Sequence, residues 1–220
     1  MKLRPEGDYL ASLAGMRVAL VGSAASAAGT GLGAEVDGHD LVVRVNWSAP
    51  VPAAMRPDIG ARTDVLYHVL RYAKQLMRRT DVEALVRARV GCVVSVHPAR
   101  KTRVRHFARL AGDRIQLVAP PDFRLQLARR LGTVPNTGIT ALAHLLTSQL
   151  AELSVYGFDF YRTGHWPGQR GGAETAEQAA AQAGIVTGHD QPTQRAFVAQ
   201  LLAADPRLRV TQAMREALEG

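Results

Sequence analysis

Met16-Arg17-Val18-Ala19-Leu20-Val21-Gly22 runs into Ser23-Ala24-Ala25-Ser26-Ala27-Ala28-Gly29-Thr30-Gly31-Leu32-Gly33, and this stretch decides the fold. The first seven residues read as a buried strand closed by glycine. The next eleven carry almost no side chain that could keep a ligand from the backbone, so main-chain N–H groups are expected to approach a phosphate there. A second strand, Leu41-Val42-Val43-Arg44-Val45-Asn46, puts Arg44 and Asn46 on one face. Asn46 falls at its carboxyl end, where open α/β sheets bind ligands.

Outward from this pair, strands alternate with helix-length segments, the pattern of an α/β domain with a largely parallel sheet. Further strands are expected at residues 63–68, 90–96, 114–118, 153–159 and 207–210, and helices at 100–111, 120–131, 190–203 and 211–218. One or two surface helices are expected over 71–89. The prolines at Pro50, Pro52 and Pro57 argue against regular structure in 48–57. Asn136-Thr137-Gly138 reads as the opening of a buried helix, with exposed donors at its N-terminus. Residues 162–188, rich in Gly, Ala, Gln, Thr and Glu, form a candidate flexible lid; the plainer alternative is a short surface helix over 174–183. The 220 residues fit one domain, 1–220.

The chain carries 27 Lys and Arg against 19 Asp and Glu, a formal charge of +8. A solvated arginine surface accounts for most of it, and peripheral contact with an anionic membrane surface is a second use. No aromatic-rich basic strand or helix-turn-helix pattern accompanies the charge, so no nucleic-acid partner is expected. The N-terminus lacks a signal-peptide core and no run reaches membrane-span length. The single cysteine, Cys92, sits in an apolar strand and reads as inert core. A cytoplasmic protein, at most peripheral to the inner membrane, is expected.

Several blocks together resemble the motifs of glycosyltransferase family 29, the sialyltransferases. The long motif is matched by Val21-Gly22-Ser23, Gly29-Thr30-Gly31-Leu32-Gly33, Glu35-Val36-Asp37-Gly38-His39-Asp40, Val43-Arg44-Val45-Asn46 and Asp58-Ile59-Gly60-Ala61-Arg62-Thr63-Asp64. Pro135-Asn136-Thr137-Gly138 and Tyr156-Gly157-Phe158 resemble the short motif, Thr163-Gly164-His165-Trp166 the third, and Gly188-His189-Asp190 with Gln194 the very short one. The resemblance implies a Rossmann-like, mostly parallel twisted sheet flanked by helices, the GT-A-like sialyltransferase fold. The membrane anchor and disulfide of animal members have no counterpart here, which points to a bacterial, soluble relative.

The same resemblance implies an inverting, metal-independent transfer of sialic acid, or a related sugar such as Kdo, from a CMP-sugar donor to a hydroxyl of a saccharide or glycolipid acceptor. A leaving phosphate with a single charge can be stabilised by hydrogen bonds and a helix end, so neither metal nor cofactor is expected. The acceptor hydroxyl must lose its proton as it attacks, which suits a neutral imidazole. The resemblance gives that role to His189, and to His165 a contact with the departing phosphate. Ser23, Asn46, Asn136, Thr137, Gly138 and Asp159 are the expected substrate-binding residues. Gln194 stands where the family pattern has Glu, and Arg44 with Asp37 is expected to pair beneath the loop. The rival reading is a noncatalytic nucleotide-binding Rossmann-like module. A dinucleotide site fits poorly, because no Gly-x-Gly-x-x-Gly follows the first strand and the second ends in Asn46 rather than an acid.

Overall fold

The computed structural model describes residues 3–72, 75–97, 101–169, 175–179, 181 and 189–219. Its centre is a seven-stranded sheet of β1 (Arg17–Val21), β2 (Leu41–Val45), β3 (Val65–His68), β6 (Cys92–Ser95), β7 (Gln116–Val118), β8 (Glu152–Tyr156) and β9 (Leu208–Val210). The spatial order is β7-β6-β3-β2-β1-β8-β9, with every neighbouring pair parallel. The chain winds outward from β1 to β7 on one side, then crosses to β8 on the other. The order therefore reverses between β1 and β8, and their carboxyl ends open a crevice.

Parallel strands buried on both faces read as near-continuous apolar runs, and alternate residues feed opposite layers. Val18, Leu20, Val43, Val45, Val65 and Tyr67 face one layer. Packed on that side are α1 (Glu6–Ala11), α6 (Phe123–Leu131), α7 (Thr137–Leu146), α8 (Gln191–Ala204) and α9 (Gln212–Glu219). Leu66, Val93 and Leu117 face α4 (Arg79–Arg87) and α5 (Lys101–Ala111), while Ala19, Val21 and Val42 face α2 (Gly33–Asp37) and α3 (Arg56–Ile59). No described helix is long and apolar enough to cross a membrane.

Two expectations are corrected. Arg71–Tyr72 (β4) and Gln75–Leu76 (β5) pair as short antiparallel strands, and among the described residues of 71–89 only Arg79–Arg87 is helical. In the proline-rich segment, 53–55 form a 3-10 turn that runs into α3, with Pro57 in the first turn where its missing N–H costs nothing. Of the candidate lid, residues 170–174, 180 and 182–188 lie outside the described residues, and 176–179 are helical. Helix α1 carries no strong sequence mark. Its place comes from a buried chain in which Tyr9 and Tyr67 hydroxyls meet at 3.3 Å, Tyr67 meets His144 Nδ1 at 2.8 Å, and His144 Nε2 meets Glu6 at 2.9 Å.

Candidate functional site

Phe158 organises the crevice. A Cβ added at Gly22 would lie 2.7 Å from its ring, and one added at Gly138 would lie 2.5 Å away. The ring is thus wedged between the end of β1 and the start of α7, and both glycines are dictated by that close approach. The loop after β1 is pinned from the same side. Ala24 N donates to Gly157 O (3.0 Å), Ala25 N to Gly164 O (2.8 Å), Ser26 N to Thr163 Oγ1 (3.2 Å), and Trp166 N to Ser23 O (3.0 Å).

These bonds correct the expectation of a phosphate-cradling loop. The amides of Ala24, Ala25 and Ser26 are turned inward. Gly31 N donates to Asp58 Oδ1 at 2.9 Å, and Gly29 N bonds the same carboxylate, holding Asp58 below the usual carboxylate range. Donors that reach the crevice instead come from α7. Its first amides, Thr137 and Gly138, have no partner within the helix, whereas Ile139 N is capped by Asn136 Oδ1 at 2.8 Å. Asn136 also bonds the hydroxyl of Tyr161, so its side chain is engaged in holding the helix start.

The segment 189–194 docks on this same start. His189 Nδ1–H donates to Val134 O at 2.6 Å, which leaves Nε2 as an acceptor. Burial and the Arg124 charge lower the His189 pKa below the ordinary histidine value, against the raising effect of the Val134 bond. Gln194 is wholly buried. Its Oε1 accepts from Asn136 N at 2.9 Å and its Nε2 donates to Asp190 O at 3.2 Å. An ionised glutamate could make only the first bond, so the amide here is a two-way clamp between α8 and α7.

His165 lies on the other wall, bridged to Ala24 as a short antiparallel pair. Its Nδ1 is buried without a partner, its ring bonds Gln169, and burial lowers its pKa. Asp159, 4 % exposed, accepts from Thr163 N at 3.2 Å and from Thr163 Oγ1, so its carboxylate closes the 159–163 turn. That turn carries Phe160 and Tyr161 at φ of 55° and 66°. Bulky residues in the left-handed region mark a local backbone constraint beside the crevice. Asn46 closes β2 at φ 47°, and its Oδ1 accepts from Val69 N at 3.3 Å.

Seven of the eight expected site residues are connected through shared neighbours, by hydrogen bonds or along the chain. Ser23 meets the His165 strand, Asp159 and Tyr161 share a turn, Tyr161 bonds Asn136, and Asn136 leads to Thr137, Gly138 and the docked His189. Asn46 stands one strand away. Missed in the sequence were Tyr161, signalled only by its backbone, and Arg124, which no motif marks.

Arg44 and Asp37 brace the fold without pairing with each other. Arg44, fully buried, donates from Nη2 to Ile59 O (2.7 Å) and Gly60 O (3.1 Å), and from Nε to Arg62 O (2.8 Å) and Thr63 Oγ1 (3.0 Å). Asp37 accepts from Ala61 N and Arg62 N on the same turn. Desolvation lowers the Arg44 pKa to about 10 despite nearby Asp37 and Asp64. Among the described residues no three His, Cys, Asp or Glu side chains are grouped to hold a metal ion.

The sheet order, with its switch point between β1 and β8, defines a doubly wound α/β protein. Residues 10–103 match the model of glycosyltransferase family 29 (sialyltransferase). Mouse and rat proteins named CMP-N-acetylneuraminate-beta-galactosamide-alpha-2,3-sialyltransferase 2 are each 28% identical over 160 residues, covering 68% of this chain and 45% of theirs. The chain thus spans about half the length of the curated relatives it matches. A mammalian sialyltransferase in complex with Gal-beta-1-3GalNAc-ortho-nitrophenol superposes with a TM-score of 0.56 at 18% identity, covering 94% of this chain and 78% of that one. The sialyltransferase CstII from Campylobacter jejuni, in complex with CMP-3FNeuAc, gives 0.56 at 13% identity, covering 89% and 81%. At those identities the likeness is one of fold.

Proposed function

We propose that this protein is a sialyltransferase that moves sialic acid, or a related ulosonic sugar such as Kdo, from a CMP-sugar to a saccharide hydroxyl with inversion and without a metal. The observation that carries the reading is the His189 ring, tethered through Nδ1 to Val134 O so that Nε2 is an acceptor beside the start of α7. The acceptor hydroxyl gives its proton to Nε2 while its oxygen bonds the anomeric carbon. The bond from that carbon to the phosphate oxygen breaks, and its electron pair leaves on CMP. Thr137 and Gly138 amides and the α7 N-terminus stabilise the added charge, with His165 as a further donor. The match of residues 10–103 to glycosyltransferase family 29 and the CMP-3FNeuAc held by the superposed Campylobacter jejuni protein support the CMP donor.

The test is incubation with CMP-sialic acid and with CMP-Kdo in chelator-treated buffer, with CMP release and the anomeric configuration of the product read by NMR. Release of CMP with an inverted product is the expected result. Strict divalent-metal dependence, or a preference for a UDP-sugar, would overturn the proposal.

A further inference from the structure

The four residues that lead into α7 are each tied to a neighbour. Thr133 Oγ1 accepts from Asp190 N at 3.4 Å, Val134 O from His189 Nδ1 at 2.6 Å and Pro135 O from Arg124 Nη2 at 2.9 Å, while Asn136 N donates to Gln194 Oε1 at 2.9 Å. Three of these ties come from the segment that carries His189. The fourth comes from α6, and through Nη1 the same guanidinium reaches His97 Nδ1, just past β6, at 3.1 Å. Arg124 therefore anchors the stretch to α6 and the end of β6, independently of the segment that carries the base.

Proline carries that anchor to the base. Its ring fixes φ at position 135, and the residue before a proline is confined to extended backbone. With that φ fixed, holding the Pro135 carbonyl sets the one torsion left between it and the Val134 carbonyl. The direction of Val134 O then decides the orientation and tautomer of the imidazole bonded to it. Charge acts beside geometry. Arg124 stays a cation at neutral pH although burial lowers its pKa to about 10. The His189 pKa is lowered first by burial and further by this charge, against the raising effect of the Val134 bond. Among the described residues the other charged group of this turn is Asp190, engaged with Thr193 N and Oγ1, and Thr133 and Gln194 are neutral.

We propose that Arg124 is a positioning residue for the transfer: through the Pro135 and Val134 carbonyls it holds the His189 ring at the angle and in the tautomer that leave Nε2 to take the proton of the attacking hydroxyl. It needs no contact with substrate. This inference rests on the reading of His189 as base.

Nitrogen-15 NMR of labelled histidines, with the His189 signals assigned by their loss in His189→Ala, tests it together with steady-state kinetics. The proteins are wild type, Arg124→Lys, Arg124→Met and Pro135→Ala, with CMP binding read by calorimetry. Wild-type His189 should show the Nδ1–H tautomer alone. Both Arg124 variants should mix the two tautomers and lower kcat, Arg124→Met by about tenfold or more and Arg124→Lys by less, with both KM values and the CMP affinity within threefold of wild type. Both lose the paired geometry but Lys keeps the charge, so the His189 titration midpoint and the acid limb of kcat/KM should lie at higher pH in Arg124→Met than in Arg124→Lys. Pro135→Ala keeps Arg124 and frees φ, so it should mix the tautomers and lower kcat as well. A single Nδ1–H tautomer with wild-type kcat in Arg124→Met, or in Pro135→Ala where Arg124→Met does not fold, would overturn the proposal. A fall in CMP affinity as large as the fall in turnover would also overturn it, by placing Arg124 at the donor seat. Full turnover by His189→Ala would remove the base itself, a failure distinct from an essential His189 that is indifferent to Arg124.

Discussion

A histidine serves as a base only when its other nitrogen is held protonated and its environment resists imidazolium. Both conditions meet at His189, whose Nδ1–H is fixed on Val134 O and whose pKa is pushed down by burial and by Arg124. Transfer requires the neutral ring, so the acid limb of kcat/KM should inflect below the ordinary histidine value of about 6.5, with the rate flat from there to neutrality. His189→Ala should abolish transfer while CMP binding, read by calorimetry, survives; retained turnover would remove the residue from its role. Gln194 makes a sharper test of the local chemistry. Gln194→Glu keeps the acceptor for Asn136 N but sets a carboxylate against the Asp190 carbonyl. The variant should lose about 1–3 kcal/mol near pH 7. Burial raises the folded pKa of the new carboxyl, so the protonated form restores the donor. The deficit is smallest below the unfolded value of about 4.3 and grows as pH rises through the folded value. Urea denaturation at several pH values reads this directly, and a deficit that does not vary with pH would contradict it.

At the scale of elements, the strands and most helices were legible because their signals are local. Glycine closes β1, Gly132 at φ 69° ends α6, and Asn136 and Asp190 cap α7 and α8 through their own side chains. What escaped sequence reading depends on partners far along the chain. The loop from Gly22 to Gly33 looks like a bare phosphate cradle until Asp58 and the 157–164 segment are seen to take its amides. Helix α1 is only six residues long and is fixed by the Tyr9, Tyr67 and His144 chain rather than by its own pattern. The pairing of β4 with β5 was misread because arginines spaced among apolar residues suit a helix as well as a short edge pair. Gly138 carries the element-level prediction. Ala at this helical position would ordinarily stabilise through the unfolded state, but here its Cβ meets Phe158. Gly138→Ala should therefore destabilise by about 1–3 kcal/mol, and in a Phe158→Leu background the penalty should shrink. Independent, additive effects in that double-mutant cycle would refute the wedge.

Across the whole molecule the excess positive charge is unevenly placed. Arg78, Arg79, Arg87 and Arg89 on and around α4, with Lys101, Arg105 and Arg109 on α5, are exposed on one side of the sheet. The partly exposed Glu83 in that region is already bonded to Arg114 at 2.8 Å. This face is built on β6 and β7, at the far side of the sheet from the β1/β8 switch point, so it can meet a surface without closing the crevice. Each basic residue close to an anionic leaflet contributes about 1 kcal/mol, and the field fades within a Debye length of about 10 Å at 0.1 M salt. Sedimentation with vesicles containing 30% phosphatidylglycerol is therefore expected at about 50 mM salt and should vanish near about 1 M, where the screening length falls to about 3 Å. The triple variant Arg79→Glu, Arg87→Glu, Arg105→Glu should stay in the supernatant at low salt with its CMP affinity unchanged. Equal sedimentation with purely phosphatidylcholine vesicles would show that charge is not the agent. Loss of CMP affinity in the triple variant would show that this face is not independent of the site.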